Sequence, residues 1–387
     1  MRHINGNAGR RLFLAGLAAA LTAGAAACSS GPAASSSAGP ASSASSATAS
    51  ASGANLATAE AVVAPFTGHT GPFPVDVPLA KRPPAGSTYA MLQCATPVCA
   101  QLTELFGAAV HAIGANYTIV KAGPSVTQEQ DAMSTIIADK PSGVIIPAIE
   151  PDAISHQLQQ LHQAGVPVVS MGIVNAQQYG IDYDTGEHPS TSILEGQVLA
   201  AWAVLQKGAQ TSPVFYVTPE LSFGPFVEQG FDQEMAKLCP SCRVRNVDLP
   251  LADIGNSAPS LVVSDLQAHL STNVAVFSTE EAATGLPAAL KVAGLNVLTN
   301  GYGPPPAVLQ YVKEGQITSG LAADLGLAAW TTVDALARIQ THQPLTAGET
   351  SAIPVMQLLT QKDMTFDLAD GWSGYPNFPV RFATLWK

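Results

Sequence analysis

The sequence predicts an α/β protein of two doubly wound parallel-sheet lobes, and two observations carry that expectation. The first is the stretch Pro141–Met171, PSGVIIPAIEPDAISHQLQQLHQAGVPVVSM, which reads as strand, helix, strand. An apolar run, Val144–Ile146, stops at Pro147 and a polar turn follows, Glu150-Pro151-Asp152. Ile154, Leu158 and Leu161 then stand at helical spacing, Gly165 sits where a helix end favours positive φ, and a second apolar run covers Val166–Val169. Such a βαβ unit crosses over right-handed and pairs its strands in parallel. The second observation is that the alternation of strand and helix runs twice along the chain, which implies two lobes. Ligands meet open parallel sheets at the carboxyl ends of the strands, so Pro147–Glu150 and Met171–Val174 become site candidates.

Taken in order, the first run opens with a strand at Thr88–Gln93, a loop at Cys94–Cys99 and a helix at Gln101–Gly114. A strand at Tyr117–Lys121 and a helix at Thr127–Ala138 lead into the βαβ unit. Gly180–Asp184 then connects to an apolar helix, Ser192–Leu205. The second run has strands at Val214–Val217, Arg243–Leu249, Val274–Ser278, Asn296–Asn300 and Ile317–Ala322. Helices at Pro225–Leu238, Ala258–Leu270, Leu286–Val292 and Pro306–Glu314 separate them, and a long helix, Gly326–Gln340, comes last.

The composition narrows the partners. The 387 residues are 47% hydrophobic, ample for buried cores, while only 12% are charged and the formal net charge is −11. No Lys/Arg cluster is present to track phosphates, which argues against a nucleic-acid partner and against a polybasic membrane patch.

The N-terminus reads as a targeting leader. Arg2, Arg10 and Arg11 precede an apolar stretch, Leu12–Leu21, that is too short to span a bilayer as a mature helix. Ala25-Ala26-Ala27 before Cys28 resembles a bacterial lipobox, in which the cysteine is lipidated and becomes the new N-terminus. The plainer alternative is an ordinary signal peptide cut after Ala-x-Ala, with Cys28 incidental. The Ser/Gly/Ala tether after Cys28 suits an anchored domain. Residues 1–27 are therefore expected to be signal peptide and 28–86 a lipid-anchored linker. Its Ser29–Gly53 part cannot bury a core, and its Ala54–Gly86 part is expected to be extended against the folded body.

Four further cysteines fall in two local pairs, Cys94/Cys99 and Cys239/Cys242, and in an exported chain disulfides are the default. A zinc site drawing on all four competes with that reading, but the pairs lie far apart and oxidation is favoured outside the cytoplasm. A thioredoxin-like role for Cys239-Pro-Ser-Cys242 is weakened because the motif follows a helix, so no helix N-terminus lowers a thiolate pKa.

The order and spacing of these elements, with EQGFDQEMAKLC, VAVFSTEEAATGLPAALKVAG and VKEGQITSGLAADLGLAAW beside the βαβ unit, resembles a type I periplasmic solute-binding protein. This is the ribose- and galactose-binding family associated with ABC importers. The resemblance covers about 87–357. It implies lobes joined by three crossover strands, near Asp182–Glu187, Ala323–Gly326 and Ile353–Val355. The first lobe would then be 87–184 with 325–353, and the second 185–324 with 354–387. It further implies a monomer without a cofactor or metal, whose closed form is recognised by importer membrane subunits. A sensor of the same fold, presenting its closed form to a membrane receptor, is the alternative.

Sugar-binding members of that family hold hydroxyls with an Asn and aromatics after strand one, an Asp-Arg pair after strand four, and an Arg, an Asn and an Asp in the second lobe. This chain departs at most of these places. The corresponding positions fall at Gln93 and Thr96, Met171-Gly172, Pro225 flanked by Phe223 and Phe226, Glu280, Tyr302-Gly303, and Asp324 at the second crossing. Each also has a plainer role: Phe223 and Phe226 as helix-start packing, Glu280 as a cap, Met171 as core, Asp324 as a hinge residue. Aromatic and thioether surface beside carboxylates suits a partly apolar ligand with a cationic or hydroxyl group at one end. Enzyme motifs are missing. Gly371-Trp372-Ser373-Gly374 puts Tyr375 where a nucleophile elbow needs glycine, His-Glu-x-x-His does not occur, and Gly301-Tyr302-Gly303 runs into three prolines that cannot supply backbone donors.

Overall fold

A computed structural model describes residues 53–68, 71–186, 188–350 and 355–387. The leader, Cys28, most of the tether, and the Glu187 and Ile353 ends of two expected crossings lie outside the described residues. The first described element is a helix, α1 (Leu56–Val63), in a stretch expected to be extended. The Asn55 side chain accepts from the Thr58 N–H at 3.2 Å and so supplies the N-cap that an eight-residue helix needs.

The first lobe is built on a wholly parallel sheet. Its strands are β1 (Thr88–Gln93), β2 (Asn116–Lys121), β3 (Gly143–Pro147), β4 (Val168–Met171) and β5 (Tyr183–Asp184), in the order β2-β1-β3-β4-β5. Helices α2 (Pro97–Ile113), α3 (Val126–Asp139) and α4 (Ser155–Gln163) make the crossovers. Two expectations are corrected here. Residues 180–184 hold a short fifth strand as well as a connection, because Tyr183 and Asp184 pair with β4. The helix expected from Gln101 begins at Pro97, because proline at the first position has the helical φ already set and gives up no needed N–H.

The second lobe opens with α5 (Pro189–Lys207) and alternates β6 (Pro213–Val217), α6 (Gly224–Leu238), β7 (Arg245–Asp248), α7 (Ala258–Ala268), β8 (Val274–Phe277), α8 (Leu286–Ala293), β9 (Leu298–Gly301) and α9 (Pro306–Lys313). The four strands pair in parallel in the order β7-β6-β8-β9. The Tyr302–Leu321 bridge then sets β10 (Gly320–Ala323) alongside. Helices α5 and α6 cross at two glycines: a Cβ on Gly196 would stand 2.0 Å from the Val227 carbonyl oxygen, and one on Gly230 2.0 Å from that of Ile193. Helix α1 lies on this lobe, with the Asn55 N–H donating to the Leu238 carbonyl at 2.8 Å and Ala59 and Val63 joining the core of Val198, Trp202 and Phe231.

From β10 the chain returns to the first lobe as α10 (Leu325–Gln340), with the four-residue helix α11 (Ala347–Thr350) after it. Strand β11 (Met356–Leu359) then pairs antiparallel with β10 in the second lobe. The last residues differ from the expected assignment of 354–387 to that lobe. Met364 and Trp372 stay in its core, but Tyr375, Phe382 and Trp386 pack with Trp330 in the core of the first. Helix α12 (Phe378–Leu385) therefore belongs to the first lobe, and the C-terminal segment makes a fourth passage between lobes near Trp372–Tyr375. Aromatic burial decides it: Trp330 stacks on Trp386 at 5.2 Å, and Phe73 from the proline-rich N-terminal stretch meets Tyr375 and Phe382 edge-on.

Both expected disulfides are formed, Cys94–Cys99 and Cys239–Cys242, with Cα atoms 5.4 Å and 5.3 Å apart. The first closes a ring over the entry to α2, and the second closes the turn after α6.

Candidate functional site

The carboxyl ends of both sheets face each other across a cleft of about 670 Å³. From the first lobe, Thr96 and Val98 after β1, Ala148 after β3 and Met171-Gly172 at the end of β4 line it. From the second come Phe223 before α6, Glu281 after β8 and Tyr302 after β9, with Asp324 at the second passage. The Phe223 and Tyr302 rings meet edge-on with centroids 5.9 Å apart. Gly172 has φ +93°, and a Cβ there would stand 3.0 Å from that of Ala148, so the backbone after β4 turns where a larger residue is strained.

Hydrogen bonds cross between the lobes away from the passages. The Val98 N–H donates to Glu281 Oε1 at 2.6 Å, and the Val174 N–H donates to Ser222 Oγ at 2.9 Å. The arrangement is a closed one, with the α2 N-terminus of one lobe receiving a carboxylate from the other.

Residues 91–344 match the family model described as periplasmic binding protein domain. The chain belongs to that family. Solved structures share its fold at low identity. An ABC sugar transporter subunit from Rhodobacter sphaeroides is 17% identical with a TM-score of 0.60, over 72% of this chain and 99% of the other. A carbohydrate transporter from Acidothermus cellulolyticus, solved with myo-inositol, is 17% identical with a TM-score of 0.60, over 77% and 99%. A galactofuranose-binding protein is 16% identical with a TM-score of 0.62, over 73% and 97%. No curated protein matches the chain. The family is one of binding proteins rather than enzymes.

In this binding protein, five of the eight residues expected at the site line the cleft: Thr96, Met171, Phe223, Tyr302 and Asp324. Gln93, Phe226 and Glu280 do not. Gln93 closes β1 with its side-chain amide oxygen buried, and Phe226, in the first turn of α6, packs on the second lobe's core. The Asp324 carboxylate is at the cleft wall but is spent on structure. Its Oδ1 accepts from the Leu327 N–H at 2.9 Å, and its Oδ2 from Ser373 Oγ at 2.6 Å and the Gly374 N–H at 3.0 Å.

Glu280 and its neighbour exchange roles. Glu280–Ala283 is a 3-10 turn, in which successive side chains diverge by about 120°, and here Glu281 lines the cleft while Glu280 is buried behind it. The Glu280 side chain fills a slot left by two glycines: a Cβ on Gly301 would stand 2.8 Å from its Cβ, and one on Gly320 2.4 Å from Oε2. Neither carboxyl oxygen has a hydrogen-bond partner among the described residues, and burial raises its pKa well above the ordinary carboxylate value. Burial also raises Glu281, against the opposing pull of the Val98 N–H and the Thr96 hydroxyl.

A raised carboxyl pKa in the folded state means that the folded protein holds a proton the unfolded chain has released. Its contribution to stability is complete below the unfolded value and is lost as the pH rises above it towards the folded value. Glu280→Gln, isosteric with the neutral acid, should therefore gain stability relative to the parent as the pH is raised. Urea unfolding at about pH 5 and about pH 8 measures it, and an equal parent–variant difference at both would contradict the buried neutral carboxyl.

Proposed function

We propose that this chain is an extracytoplasmic substrate-binding lipoprotein, anchored through Cys28, that captures a small molecule between its lobes and delivers it as a monomer to the membrane subunits of an ABC importer. Three features support the reading: membership of the periplasmic binding protein family, the leader ending in Ala-Ala-Ala-Cys, and the cleft at the carboxyl ends of two parallel sheets. The tether after Cys28 gives the lobes reach from the membrane surface. If Cys28 carries the anchor, the protein should sediment with membranes and Cys28→Ser should release it or block processing. Soluble wild-type protein starting at another residue would contradict the anchor.

The cleft's lining carries the ligand reading. Among the described residues that line it there is no asparagine, glutamine, arginine, lysine or histidine. A sugar needs a partner for each hydroxyl taken out of water, and a hydroxyl left without one costs about 1–3 kcal/mol. Threonines, Tyr183 and Tyr302 and a few carboxylates stand among Leu, Val, Met and Phe side chains here. The ligand is therefore a partly apolar molecule, unlike the carbohydrates named for the similar structures. Calorimetry should show no submicromolar binding of ribose, glucose or galactose, and tight binding of any of them would overturn the reading. With the true ligand, Tyr302→Ala should weaken binding by about tenfold or more while leaving the fold intact.

A further inference from the structure

Six carboxylates and no basic side chain stand among the described residues lining the cleft. Three are already engaged. Asp324 is held by Leu327, Ser373 and Gly374, Glu281 accepts from Val98, and Glu349 faces Arg338 at 3.2 Å and accepts from the Thr346 N–H at 2.5 Å. Glu220 is exposed and accepts from the Leu251 N–H at 3.4 Å. Glu129 and Glu150 remain, Glu150 accepting from the Asp152 N–H of its own turn at 3.5 Å.

These two come from α3 and from the turn after β3, and both are half-buried in the first lobe's wall. Burial raises the Glu129 pKa and the charge of Glu150 raises it further. Glu150 is raised by burial, with the Asp152 N–H opposing and the Asp152 charge adding. Tyr179 faces the same group, raised by burial and then by Asp152 and Glu150. The groups acting on one another here are thus three carboxylates and a phenol, with no cation among them. Two like charges sharing a partly buried wall repel, and a positive group between them converts that repulsion into charge-assisted hydrogen bonds.

We infer that the ligand of this cleft carries a positively charged nitrogen held by Glu129 and Glu150, with the apolar walls taking the rest of the molecule. The inference rests on the cleft being the binding site. Ala148, Ile149, Ala153 and Val126 line the wall beside the pair, which suits an organic ammonium with carbon attached. A bare metal ion fits less well, because among the described residues no three His, Cys, Asp or Glu side chains converge on one point, and hard cations take six or more oxygen ligands. The acidic chain, at −11, also draws cations towards it.

Calorimetry on the full chain at low salt tests this with phenethylamine, tyramine and tryptamine, each against the neutral alcohol of the same skeleton. At least one amine should bind about tenfold or more tighter than its alcohol, and should bind more tightly as the pH rises from about 5 to about 7.5. The preference should fall to within about twofold in Glu129→Gln/Glu150→Gln, with the alcohol unaffected. Equal binding of amine and alcohol, no binding of any amine, or a preference that survives the double substitution would overturn the inference. A neutral or anionic metabolite whose binding depends on Tyr302 would sink the cation while leaving the binding cleft standing. Failure of every compound in a broad metabolite library to bind at Tyr302 would remove the cleft itself.

Discussion

Asp324 is the point on which the two-lobe arrangement turns. It stands at the end of β10, 3% exposed, where the chain leaves one lobe for the other. Its own N–H donates to the Val355 carbonyl at 2.9 Å, tying the second passage to the third. Its carboxylate caps α10 through the Leu327 N–H and holds the fourth passage through Ser373 Oγ and the Gly374 N–H. The first passage is joined to the same helix, since the Thr185 and Thr332 hydroxyls are hydrogen-bonded. A buried carboxylate is costly unless donors surround it, and here the donors come from separate segments of chain. Removing it would leave those donors and the α10 N-terminus unsatisfied together. The passages are thereby fastened at one edge, and closure about them is the motion this geometry permits.

Away from the passages the lobes are held more lightly. The cross-lobe bonds Val98 to Glu281 and Val174 to Ser222 each involve a side chain that water can replace when the lobes part. The lobes themselves are fixed from within. In the first, Arg338 lies between Asp334 and Glu349, also donates to the Val77 carbonyl, and Asp334 accepts from the Trp386 indole N–H. Glu349 is pushed up to about 8 by burial and by Asp334, with Arg338 opposing. This cluster binds the N-terminal stretch, α10, α11 and the C-terminus into one body, so that closing moves whole lobes rather than their parts.

Most of the fold was legible because its signals are periodic. The βαβ unit Pro141–Met171 and the second-lobe alternation stand almost where apolar spacing puts them. What escaped were features set by tertiary contact. Helix α1 has little amphipathic signal of its own and forms against α5 and the Leu238 carbonyl. The return of the C-terminus depends on Trp330 offering a ring to Trp386, which no local pattern announces. Met171 and Tyr302, expected at the ends of straight strands, line the cleft wall. Glu281 lines the cleft where Glu280 was expected, because in a 3-10 turn a shift of one residue rotates the side chain by about 120°. The signal that could have found it is the pair of glycines, Gly301 and Gly320, each one residue before a member of the Tyr302–Leu321 bridge and together making room for a buried side chain. Glu129 was read only as part of a helix, because its approach to Glu150 is created by the packing of α3 against the turn after β3.

The most direct test is a crystal structure with whichever compound from an unbiased metabolite library stabilises the protein most against heat. The account predicts that compound between the lobes, its apolar part against Phe223 and Tyr302 and within reach of Met171, with the passages around Asp324 unchanged. A polyhydroxylated ligand, or one bound outside the cleft, would contradict it.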